Sequence, residues 1–106
     1  MSLSGYITLN EAKDQVSIEH DNVAHDARLT RLIIAAEAWA INFLNVDSLA
    51  DLENSPHTSP PDFPEDVKSG ILLHVEAEFD RDEKNFELLI KRAEQLLWPY
   101  RIGLGV

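Results

Sequence analysis

Apolar residues recur along this chain at the three-and-four spacing of amphipathic helices, and no segment alternates like a half-buried strand. A short first helix is expected from Leu9 to Gln15. Thr8 can cap it, and Glu11 three residues on completes a capping box. Val16-Ser-Ile18 then reads as a brief extended stretch. A second helix is expected from Asn22 or Val23 to Leu44, with Asp21 or Asn22 as cap and Asp26 near the positive end of its dipole. At about 100° per residue, Leu29, Leu32, Ile33, Ala36, Ala40, Phe43 and Leu44 share one face, which Trp39 borders. Ile34, Ala38 and Ile41 form a separate apolar stripe on the far side.

Four of the five prolines fall between Pro56 and Pro64, in a stretch that can be neither helix interior nor central strand. A third helix should start near Pro64, with Asp62 and Glu65 offering a capping box, and run to about Asp82. Val67, Ile71, Leu72, Val75 and Phe79 make its main face, and Leu73 and Ala77 lie nearly opposite. A helix apolar on so much of its circumference is central, or it packs on something outside its own chain. A fourth helix fits Phe86 to Trp98, capped by Asn85 and stopped by Pro99, with Leu89, Ile90, Ala93, Leu96 and Leu97 on its face. The tail from Tyr100 to Val106 is short and glycine-rich. The expectation is one all-α domain over residues 1–106, a small bundle of about four helices. Its two helical halves, 6–45 and 64–101, are joined by a long Pro-rich connection, 46–63, between the second and third helices.

The 106 residues suit one domain. Composition then narrows the chemistry. There is no cysteine, which excludes a disulfide scaffold, a thiolate metal site and a cysteine nucleophile. Net charge is −10, and the imbalance is uneven: residues 1–62 hold 10 acids and 3 bases, residues 63–106 hold 9 acids and 6 bases. Such a surface repels phosphates and anionic membranes, so direct DNA binding is not expected. No apolar run is long enough to span a bilayer, and Met1-Ser-Leu-Ser-Gly5 has neither the basic region nor the apolar core of a secretory leader.

Candidate chemistry is sparse. His20 and His25, beside Asp21 and Asp26, are spaced by five residues rather than the four that place two ligands on one helix face, so capping and a solvated loop are expected there rather than a metal. His57 sits in the proline stretch. His74 and Glu78 form an i, i+4 pair, expected to be a structural hydrogen bond rather than a base with its orienting carboxylate. Asp80-Arg-Asp-Glu-Lys-Asn85 opens like a calcium loop but has Asn85 where glycine is needed and Lys91 where the bidentate glutamate belongs. Glu76, Glu78, Asp80, Asp82 and Glu83 read as a solvated helix end. Glycines at 5, 70, 103 and 105 make no phosphate loop. No enzyme, cofactor or metal is expected.

What stands out is an excess of apolar surface. Either the first and fourth helices cover the second stripes (Ile34, Ala38 and Ile41; Leu73 and Ala77), or those stripes pack on neighbouring subunits. Trp98, Tyr100 and Arg101, around Pro99, are residue types enriched in interfaces. The connection carries Asp47, Asp51, Glu53 and Asp62 and no basic residue, so it is expected to project from the core.

The order of these signals resembles a known family. Ile7-Thr-Leu-Asn-Glu-Ala-Lys13 is followed by Val16-Ser-Ile-Glu-His-Asp21 and by the alanine-rich Leu29-Thr-Arg-Leu-Ile-Ile-Ala-Ala-Glu-Ala-Trp39. Then come Pro64-Glu-Asp-Val-Lys-Ser-Gly-Ile-Leu-Leu-His-Val75 and the ending Ala93-Glu-Gln-Leu-Leu-Trp-Pro-Tyr-Arg101. Together, over residues 6–101, they resemble the small head–tail connector (adaptor) proteins of tailed bacteriophages and prophages. The resemblance implies a non-enzymatic structural subunit in the virion neck, made in the host bacterial cytoplasm. It implies a homo-oligomeric ring of about twelve subunits below the portal protein. That ring would extend the DNA channel, let DNA pass without specific binding and support tail-completion proteins. Under it the far-side stripes become ring contacts, and the loop acids face the channel or the next ring. The rival reading is a small acidic regulator, a DNA mimic or antitoxin-like binder, whose negative face fills a basic site.

Overall fold

The computed structural model describes residues 5–52, 63–81 and 83–101. They form helices α1 (Leu9–Gln15), α2 (Asp26–Leu44), α3 (Glu65–Asp80) and α4 (Glu83–Leu97), with short 3₁₀ helices at Leu49–Leu52 and Trp98–Tyr100. Among the described residues there is no strand, and the all-α class stands.

The capping box of α1 forms as expected. The Glu11 amide donates to Thr8 Oγ1 at 3.1 Å, and the Thr8 amide donates to Glu11 Oε1 at 2.9 Å. Burial works against the Glu11 carboxylate, but the Thr8 hydrogen bonds and Lys68, 3.0 Å away on α3, outweigh it and hold its pKa below the usual value. Gln15 adds a second tie, donating to Glu76 Oε1 at 2.6 Å. Val16–Ile18 is not extended. Ser17 takes a positive φ of 62° and the Ile18 amide returns to the Lys13 carbonyl, so the chain turns sharply there.

Helix α2 starts at Asp26, three or four residues later than the pattern suggests. The Asn22 side chain accepts from the Ala24 amide at 3.0 Å, building a local turn instead of capping the helix. The helix begins where Lys13 can reach it. This buried lysine donates to the His20 carbonyl at 2.9 Å, and its Nζ lies 2.8 Å from Asp26 Oδ1 as an ion pair off the line of a hydrogen bond. Leu29, Ile33, Ala36, Ala40 and Leu44 are buried as expected, with Leu32 and Phe43 packed at their edge. Asn45, left-handed at φ 60°, ends the helix.

The connection is not all projection. Leu49 and Leu52 are buried in the core, and Phe63 stacks on Tyr6 with ring centroids 4.6 Å apart. Helix α3 is the common packing partner of α1, α2 and α4, and Leu97 of α4 enters the same core as the buried face of α2. Val67, Ile71 and Val75 face the core. Arg81, at a φ of 45°, ends α3 at Asp80, and α4 starts at Glu83, three residues before the expected Phe86. So short a connection folds α4 straight back along α3. Small residues let it approach: a side chain at Gly70 would run into Leu97 and come within 3.1 Å of the Ala93 carbonyl oxygen.

That approach predicts the effect of one methyl group. Gly70→Ala gains about 1 kcal/mol of helix propensity but overpacks a filled interface at about 1–3 kcal/mol. A net loss of about 1 kcal/mol is expected in urea unfolding. A variant as stable as the parent would show that the two helices do not meet there.

Candidate functional site

The candidate residues read from the sequence are those of an interface, and the structure sorts them. Ala77, expected at a subunit interface, is only 1% exposed and lines the groove between α3 and α4 with Phe86 and Leu89. The cause is the tight α3–α4 turn, which places α4 over the second stripe of α3. Leu73 is half-buried. On α2, Ala38 is exposed, Ile34 is half-buried, and Ile41 is half-buried against the core. This outer stripe of α2 is thus only partly covered by its own chain.

The C-terminal corner is built from stacked rings. His74 lies against Trp39 at 4.6 Å, Trp39 against Phe43 at 5.6 Å, and Phe43 near Trp98 at 6.4 Å. Arg101 sits between the last two rings, 4.6 Å from each centroid, and its Nε donates to the Phe43 carbonyl at 2.9 Å. Its planar guanidinium suits that slot. Arg101, a candidate interface residue, is half-buried and braces this corner. Tyr100 is half-buried, and burial followed by the neighbouring Asp66 carboxylate raises its phenol pKa. Trp98, tilted 59° from Phe43, remains 60% exposed at the outer edge of this cluster.

The expected His74–Glu78 hydrogen bond is replaced by other partners. Glu78 accepts from Arg81 at 3.0 Å, and His74 Nδ1, buried by the Trp39 stack, has no partner. His20 and His25 diverge. His20 Nε2 is 2.6 Å from Asp14 Oδ1, while His25 packs edge-on against Phe79, over which Arg28 also lies. Among the described residues, no three His, Asp or Glu side chains gather to hold a metal, and no helix is long and apolar enough to cross a membrane.

Of the loop acids, Asp47 is exposed just beyond α2 and Asp51 falls in the 3₁₀ helix; Glu53 and Asp62 lie outside the described residues. Two exposed apolar residues escaped the sequence reading: Val23, 71% exposed before α2, and Leu88, 47% exposed on α4. The signal for Leu88 was legible. It stands one position off the Leu89-Ala93-Leu96 face, between Lys84 and Lys91. Shallow depressions run along this side of α4, one lined by Lys84, Glu87, Leu88, Ile90 and Lys91, the next by Lys91, Glu94, Gln95, Trp98 and Phe43. Lys91 is common to both, so Leu88 and Trp98 belong to one strip.

A family model described as phage gp6-like head-tail connector protein matches residues 6–85 of the chain. No curated protein and no solved structure matches it.

The Trp39–His74 stack yields a pH prediction. Burial lowers the His74 pKa, and the negative Glu78 offsets this only in part. The unfolded chain thus takes up the proton more readily than the folded one. Stability is full above the ordinary histidine pKa of about 6.5 and declines as pH falls through it. A melting temperature lower at pH 5.5 than at pH 7.5 is expected, with His74→Gln reducing the difference. An unchanged difference in that variant would place the sensitivity elsewhere.

Proposed function

Because the chain belongs to the phage gp6-like head-tail connector family, we propose that it is the subunit of a ring below the portal protein, extending the DNA channel and supporting tail-completion proteins. The family match over residues 6–85 carries this reading. It acts by self-association and docking, without chemistry of its own, in the virion neck after assembly in the host cytoplasm. A cyclic ring of about twelve identical copies needs different patches on its two flanks. The half-open stripe of Ile34, Ala38 and Ile41 on α2 and the Leu88–Trp98 strip on α4 are two different patches and support that requirement. Leu73, half-buried on α3, adds to the docking surface. Light scattering and negative-stain imaging are expected to find closed annular particles, alone or with the portal. A chain that stays monomeric under both conditions would overturn the reading.

The net charge of −10 suits a channel through which DNA slides without neutralising its phosphates. We assign Asp47, Asp51, Glu53 and Asp62 to the channel side. Leu49 and Leu52 anchor this stretch, so replacing only the four acids with lysine leaves the anchors in place. The quadruple lysine variant should keep its melting temperature to within a few degrees and gain DNA binding that weakens steeply with salt. An assembled variant that ignores DNA would remove these acids from the channel.

A further inference from the structure

We propose that the Leu88–Trp98 strip of α4 docks the acidic turn around Val23 of a second copy, so that successive copies pair head to tail. The inference rests on the ring reading and names the two surfaces that meet. Among the described residues, the large apolar side chains left exposed are Val23, Leu88 and Trp98. They fall in opposite electrical settings. Val23 follows Glu19 and Asp21, both exposed, with exposed Asp14 close by through its contact with His20. The lysine of that region, Lys13, is buried and committed to His20 and Asp26. Leu88 lies between exposed Lys84 and Lys91, with exposed Arg92 next along; the acids of the strip are exposed Glu87 and half-buried Glu94.

Two copies that each carry −10 repel at long range, so association needs a contact where unlike charges meet. The α4 strip supplies cations around an apolar centre, and the Val23 turn supplies anions around another. The turn lies between α1 and α2 and the strip lies on α4, so one subunit presents the two halves of the contact as separate, unlike patches. Such a pairing is heterologous and propagates into a closed ring or a filament rather than stopping at a dimer.

Charge reversal tests this. Lys91→Glu and the pair Glu19→Lys/Asp21→Lys should each weaken self-association about tenfold or more in low-salt sedimentation, with melting temperatures unchanged. All three changes on one chain should restore it. The chain has no cysteine, which permits a second measurement. Val23→Cys mixed with Leu88→Cys should give an oxidised dimer that neither variant gives alone. If the parent assembles but the reversals change nothing, or if either cysteine variant links to itself, the proposed contact is wrong and the ring reading survives. If the reversals spare self-association but weaken portal binding, the strip belongs to the portal and the second copy is excluded. A parent that never assembles sinks both.

Discussion

The close approach of α3 and α4 at Gly70 decides what the rest of the surface can be. Helix α3 is apolar on two sides, and only one of them can face α1 and α2. Gly70 and Ala77, two turns apart, let α4 approach the second side, where Leu73 stays half-buried, and the short connection after Asp80 brings α4 onto it. Burying that stripe inside the chain removes Ala77 from any interface. It also pins one face of α4, which fixes the opposite face, with Leu88 and Lys91, toward the surroundings.

The other elements are held by polar contacts aimed at helix ends. Lys13 ties the turn after α1 to the first residue of α2. A buried lysine stays put only where its ammonium finds oxygen, so the start of α2 is set by where Asp26 and the His20 carbonyl meet it. At the far end Arg101 clamps the C-terminal segment to the last turn of α2 through the Phe43 carbonyl and two rings. Between them, the His74–Trp39 stack joins α3 to α2 without satisfying the imidazole, which makes that contact sensitive to protons.

The helices were legible because periodicity is a local property, and so were the Thr8–Glu11 box and the core face of α2. The errors came from tertiary competition. Asn22 had an equally good use in a turn, and nothing local shows that Lys13 would claim Asp26. The connection read as projecting because its composition is polar and proline-rich, yet two leucines three residues apart, Leu49 and Leu52, suffice to anchor its first part. Arg101 could be singled out by its type, common in interfaces, but nothing local shows that its flat cation would also brace Phe43 and Trp98. The partly open stripe on α2 could be read from the sequence. The exposure of Leu88 could have been, since it breaks register with its own helix face.

A small acidic protein that must assemble meets a conflict between charge and contact. Spreading −10 evenly would keep copies apart, and a helix such as α4, where three bases offset three acids, lowers the repulsion locally without abolishing it elsewhere. Attraction confined to two unlike patches is directional, so it favours ordered closure over indiscriminate clustering. The residual negative charge then falls on whatever surface the contacts leave open. In the proposed ring that surface would include the wall past which DNA moves, and a wall that offers no cation to the phosphates releases no counterions and gives the DNA no reason to stop. On that proposal, the same imbalance that makes the isolated chain look like a poor partner for itself would serve both the order of the assembly and the passage through it.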